Sequence, residues 1–244
     1  MDNPSIRIVS LVPSLSELVA YFDLDALVGR TRFCVFPTDI ILVPQIGGTK
    51  NINLQKIRNL KPDLIIASKE ENIREQVEEI ESEFPTKVFD IQTVEDALDA
   101  IKLIGSCMNK EEAAIAIINQ IRQERELYSS PVLGTAIYLI WQKPWMTVGG
   151  DTYINTMMNE AGFTNLFSSS RRYPIIPDES VFTSLCPDYL LLSSEPYPFK
   201  DRDILYFQSL IPQTKVLWVD GTFFSWYGSR LAGFYTYMVE KLKV

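Results

Sequence analysis

Short unbroken apolar runs alternate along this chain with longer stretches whose apolar residues recur every three or four positions. The first kind of run reads as a strand buried on both faces, the second as an amphipathic helix. Ile6–Val12 is a first strand. Pro13-Ser14-Leu15-Ser16-Glu17 then opens a helix, with Ser14 or Ser16 as N-cap and Glu17 placed to complete a capping box with Ser14. Ala26–Thr31 is a second short strand leading into a loop, Arg32–Pro37. Asn53 caps a helix that runs to Leu60, Glu70 starts a charged helix, and Lys87–Ile91 is a strand that closes a first lobe.

Two helical stretches follow. Val94–Met108 has apolar residues at helical spacing. Asn109 and Glu112 then have the form of a capping box, and no Gly or Pro interrupts the next stretch before Tyr128. This second helix is expected to be a stiff connector. The pattern resumes with strands at Thr135–Ile140 and Lys215–Asp220, and with a helix at Thr152–Ala161 stopped by Gly162. The expected organisation is an α/β chain of two Rossmann-like lobes with mostly parallel sheets, joined by a single long α-helix. Its parts are an N-terminal lobe 1–108, a connecting helix 109–129 and a C-terminal lobe 130–244.

One stretch occurs twice. Leu60-Lys61-Pro62-Asp63-Leu64-Ile65-Ile66-Ala67-Ser68-Lys69-Glu70 is matched 125 positions later by Leu185-Cys186-Pro187-Asp188-Tyr189-Leu190-Leu191-Leu192-Ser193-Ser194-Glu195. Leu, Pro, Asp, Ser and Glu fall in register. Each copy reads as a helix end, a buried strand and a carboxylate just past the strand's carboxyl end, the edge at which open α/β sheets bind ligands. The two copies are either the same element of two similar lobes or a common helix-to-strand join that arose twice.

Composition narrows the chemistry. The 244 residues suffice for one large or two modest domains, and 46% are hydrophobic. A net charge of −8 argues against a nucleic-acid partner. There is no histidine, which removes the serine triad and the commonest metal ligand. The three cysteines, Cys34, Cys107 and Cys186, form no C-x-x-C pair. No catalytic set, resident metal or cofactor is therefore expected. No apolar run is long enough to span a membrane, and Met1-Asp2-Asn3-Pro4 has no signal-peptide character. Either the protein stays in the cytoplasm or an export segment was removed.

Aromatic residues are the stronger signal. Phe33, Trp141, Trp145, Tyr173, Tyr197, Phe223, Phe224, Trp226 and Tyr227 fall in segments expected to be loops after strands. There they are either packed corners or the rigid apolar wall of a ligand cleft. Arg32, Arg171, Arg172 and Arg230 are candidates for the anionic parts of a ligand. Ser14, at a strand-to-helix join, and Glu195 complete the candidate ligand set. The separation of Glu70 from Glu195 is not fixed by sequence.

Arg7-Ile8-Val9-Ser10-Leu11-Val12-Pro13-Ser14, Gly47-Gly48 with Asn53-Leu54, Leu60-Lys61-Pro62-Asp63-Leu64-Ile65 and Ser225-Trp226-Tyr227-Gly228-Ser229-Arg230-Leu231 together resemble the class III, helical-backbone periplasmic substrate-binding proteins. These deliver cobalamin, ferric siderophores or haem to ABC importers. The resemblance covers nearly the whole chain and is nearest the cobalamin-binding branch. It implies a monomeric, non-enzymatic protein that holds a corrinoid between two lobes, largely on aromatic surface such as Trp141, Trp145, Phe223 and Trp226. It also implies docking on a permease through acidic residues, which here match Glu70, Glu71 and Glu75. The corresponding second-lobe position is about Ser225, not a carboxylate. Two other readings stand beside this one. The first is a ferric-siderophore-binding protein of the same fold, suggested by the four arginines. The second is a cytoplasmic corrinoid-handling factor or enzyme.

Overall fold

The structure is a computed structural model that describes residues 6–128 and 132–242. The end of the expected connecting helix at 129 and the expected lobe start at 130 lie outside the described residues, as does Met1-Asp2-Asn3-Pro4. The chain divides into two compact units. One comprises Met1–Arg122 with Tyr227–Ala232, the other Gln123–Trp226 with Gly233–Val244.

In the first unit the elements run β1 (Ile8–Ser10), α1 (Pro13–Asp23), β2 (Leu27–Arg30), β3 (Gly47–Gly48), β4 (Asn51–Ile52), α2 (Leu54–Leu60), β5 (Leu64–Ser68), α3 (Arg74–Glu81), β6 (Thr86–Phe89) and α4 (Val94–Cys107). The helix α5 (Glu111–Tyr128) follows. The main sheet has the order β2-β1-β5-β6, every neighbour parallel. Side chains alternate across a strand. Ile65 and Ala67 of β5 therefore join Val9, Leu11, Ile57, Val77 and Ile80 in one core cluster, while Ile66, equally buried, turns to the other face. The helices α1 and α4, which add nothing to that cluster, pack on each other.

The second unit runs β7 (Gly134–Leu139), β8 (Trp145–Met146), α6 (Tyr153–Glu160), β9 (Phe163–Asn165), β10 (Ile175–Ile176), α7 (Ser180–Leu185), β11 (Tyr189–Ser193), α8 (Asp201–Leu210), β12 (Lys215–Val219), α9 (Gly221–Ser225) and α10 (Phe234–Tyr237). Its main sheet, β12-β11-β7-β9, is again all parallel. Numbered within each unit, both sheets have the strand order 2-1-3-4. The repeated stretch is strand 3 in both.

The repeat has a structural cause at each of its fixed positions. Lys61 and Cys186 stop α2 and α7 in the left-handed region, with φ of 47° and 42°. The following proline cannot continue a helix. The aspartate then accepts a hydrogen bond from the start of its unit's first strand: Asp63 from the Arg7 N–H at 2.9 Å, Asp188 from the Thr135 N–H at 2.7 Å. Each aspartate thus fixes the register of the central strand pair.

Three local expectations are corrected. Helix α1 begins at Pro13, has Val12 as N-cap and has no side-chain cap; proline at the first position lacks an N–H to satisfy, and the Ser16 hydroxyl bonds back to the Val12 carbonyl. Asn109 has φ 54° and belongs to the stop of α4, not to a cap of α5; the capping box is at Thr93 and Asp96, which starts α4. Trp145 is not in an irregular loop: β8 pairs antiparallel with β10.

Candidate functional site

A parallel sheet brings the carboxyl ends of all its strands to one edge. In the first unit that edge carries the segments after Ser10, Arg30, Ser68 and Phe89. It gathers Ser14, Arg32, Phe33, Glu70 and Glu71. Ser14 is buried in the first turn of α1. Arg32 and Phe33 are exposed, the guanidinium carbon 4.8 Å from the ring centroid. Glu75 is exposed in the first turn of α3. Arg230 is held by Glu17, with Nη2–Oε1 at 2.5 Å and Nε–Oε2 at 3.1 Å, and lies 5.0 Å from the Phe36 ring. Its charge is largely balanced within the fold.

Two residues that sequence reasoning missed organise this edge. Asn72 is buried. Its Oδ1 accepts from the Ser68 N–H at 2.8 Å, and its Nδ2 donates to the carbonyls of Leu11 and Thr49 at 3.1 and 3.0 Å. One amide thereby ties the ends of β1 and β5 to the β3–β4 turn. Arg30, 2% exposed, spends its guanidinium on backbone carbonyls of the loop that follows it. Neither role has a local sequence signal, because the partners are set by tertiary contact. Burial pushes the thiol of neighbouring Cys34 above its ordinary value; it also meets the hydroxyls of Ser16 and Thr31. Burial likewise raises the Tyr227 phenol.

In the second unit the corresponding edge carries the segments after Leu139, Asn165, Ser193 and Val219. Trp141 meets Tyr197 edge-on at 5.6 Å, and Tyr197 meets Phe199 at 4.9 Å. The Gln142 amide bonds to the Tyr197 hydroxyl. Glu195 is half-buried, and its Oε1 accepts from both the Ser225 hydroxyl and Trp226 Nε1, each at 2.8 Å. Gly221 makes room for this: a Cβ there would strike the Ser193 Oγ and approach the Glu195 Cγ to 2.9 Å. Arg171, Arg172 and Tyr173 lie between β9 and β10. The Arg172 N–H donates to Asp151 at 2.6 Å, and its guanidinium lies 5.7 Å from the Tyr173 ring.

The aromatic set therefore divides. Phe33, Trp141 and Tyr197 stand at an edge with accessible surface. Trp145 packs among Phe182, Phe199, Tyr206 and Phe207. Phe224, fully buried, lies between Tyr138 and Phe234. Phe223 stacks on Tyr237 at 4.4 Å, and Trp226 is buried. The expectation that all of them lie in loops does not hold: Trp145 is in β8, and Phe223 and Phe224 are in α9. Among the described residues no group of three or more His, Cys, Asp or Glu could hold a metal ion, and no helix is long and apolar enough to cross a membrane.

Comparisons with known proteins agree with this architecture. The family model described as "Periplasmic binding protein" matches residues 8–210. The vitamin B12-binding protein of Vibrio campbellii is 26% identical over 189 residues, which cover 75% of this chain and 69% of that relative. Among solved structures, the periplasmic vitamin B12 binding protein BtuF of Vibrio cholerae superposes with a TM-score of 0.81 at 23% identity, covering 98% of this chain and 97% of the other. The periplasmic haem binding protein HutB of Vibrio cholerae reaches the same TM-score, 0.81, at 17% identity, covering 98% and 99%. At such identities these two likenesses establish the fold and do not separate one ligand from another. The match of the family model over most of the sequence, on two all-parallel lobes of the same strand order, places the chain in the periplasmic binding protein family, whose members are carriers and not catalysts.

Proposed function

We propose that this chain is the substrate-binding component of an ABC-type importer, that it acts outside the cytoplasm, and that its ligand is a corrinoid. The observation that carries this reading is kinship along most of the chain with a protein named for vitamin B12. The sheet edges support it. A corrin ring is broad and largely apolar at its rim, and Phe33, Trp141 and Tyr197 offer rigid aromatic surface of the kind such a ligand needs. Arg230, balanced by Glu17, suits a ligand whose side chains are mostly uncharged amides. Glu70, Glu71 and Glu75 are the proposed contact with the permease.

A ferric chelate or haem is the second reading. It is favoured by Arg32 and Arg171, which have no carboxylate partner among the described residues. Titration with cyanocobalamin and aquocobalamin, followed by calorimetry and by the corrin absorbance, is the test. One-to-one binding at micromolar affinity or tighter is expected. No heat and no spectral change with either, together with saturable binding of a ferric catecholate or haem, would transfer the assignment to the second reading.

A further inference from the structure

The segment from Thr31 to Leu42 is folded inside out. Four of its backbone carbonyls face a buried guanidinium, while most of its large apolar side chains face outward: Phe33, Phe36 and Leu42 are 48%, 43% and 83% exposed, and Val35 and Ile41 are exposed as well. Thr31, Cys34 and Ile40 are its buried residues and anchor the loop in the core. At its centre is the Arg30 guanidinium. Nε donates to the Ile40 carbonyl at 2.6 Å and Nη2 to that of Ile41 at 2.8 Å. Nη1 donates to those of Thr31 and Cys34 at 3.2 and 3.1 Å. No carboxylate pairs with it among the described residues. A buried cation satisfied only by carbonyls fixes four points of one loop at once, and a point-charge ammonium cannot reproduce that planar fork. An outward set of this size is unusual for a solvated loop.

We propose that Arg30 is a positioning residue for ligand recognition: without touching the ligand, it holds the 31–42 loop in the shape that presents Phe33 and Phe36 to the corrinoid. This rests on the corrinoid reading above. The loop presents aromatic faces, and two cations stack on them, Arg32 at 4.8 Å from Phe33 and Arg230 at 5.0 Å from Phe36. Each guanidinium is attracted to the face of its ring, and the Arg30 fork holds the backbone that carries both rings.

The test is a mutant cycle. Arg30→Lys should lower cyanocobalamin affinity at least tenfold while the thermal midpoint shows the protein still folded. In a Phe33→Ala/Phe36→Ala background the same substitution should cost little further, because the surface it positions is already gone. Wild-type affinity in R30K, or a loss that adds in full to the double alanine variant, would overturn the proposal; a residue with a merely structural role would show the second result. If wild-type protein binds no cobalamin, the corrinoid reading fails by itself. The loop claim is then read by trypsin cleavage after Arg32, which should be slow in wild type and at least tenfold faster in R30K; equal rates would overturn it. Should R30K not fold, hydrogen exchange of the wild type decides. The Cys34, Ile40 and Val43 amides, which donate to Thr31, Pro37 and Ile40, should be protected, and exchange at free-peptide rates would refute a fixed loop.

Discussion

Asp188 illustrates how one side chain ties a sequence repeat to a measurable stability. The Thr135 hydroxyl, and after it the Thr135 N–H, hold the Asp188 carboxyl below the ordinary aspartate range. A carboxyl whose folded value lies below its unfolded value contributes stability above the unfolded value of ~3.9 and loses it as pH falls through the folded one. Asp188→Asn imitates the protonated acid. It should be less stable than wild type in urea at pH 7, and the gap should close as the pH drops below the aspartate range. A gap that persists unchanged at pH 3 would show that the charge is not what matters. The pattern Pro-Asp was visible in the sequence, but its use was not. The acceptor role depends on a strand 53 residues away, and only the folded sheet brings the two together.

Among the elements, the helix α2, which ends at Leu60 two residues before Pro62, carries a cost at its C-cap. Lys61 sits at φ 47° and ψ 62°, a region in which a Cβ crowds the following carbonyl. Its side chain takes part in no described hydrogen bond, while its carbonyl serves Arg7. Lys61→Gly should therefore raise the stability of the chain by roughly 0.5–1 kcal/mol, read as a higher urea midpoint with an unchanged slope. A lower midpoint would mean that the side chain has a contact worth more than the relieved crowding. Elements with an internal period were legible: α4, α6, β5 and β11 lie within a residue or two of where apolar spacing puts them. The short β8–β10 pair was not. A two-residue strand has no period of its own, and Trp145 belongs to it because Phe182, Phe199 and Phe207 surround the ring.

For the molecule as a whole, the two units share one strand order, and the repeated stretch occupies the same place in each. That much followed from reading the repeat as two copies of one architecture. The return of Tyr227–Ala232 to the first unit did not, since nothing local in Ser-Trp-Tyr-Gly-Ser-Arg-Leu says which core it will join. Tyr227 and Leu231 are buried there, and Gly228, at φ 99°, lies against Leu18 where a Cβ would come within 3.2 Å. Burial of two such side chains is worth about 3–6 kcal/mol. A fragment ending at Tyr128 should accordingly bind a hydrophobic dye that the intact chain excludes, and fusing residues 227–232 to it through a Gly-rich linker should remove most of that signal. A fragment as dye-free as the whole chain would contradict this. The same return imposes an order on biosynthesis. About 100 residues of the second unit must be translated before the first unit's last piece leaves the ribosome. At ~5–20 residues per second that is a delay of roughly 5–20 s during which the nascent first unit stays unsealed and open to chaperones.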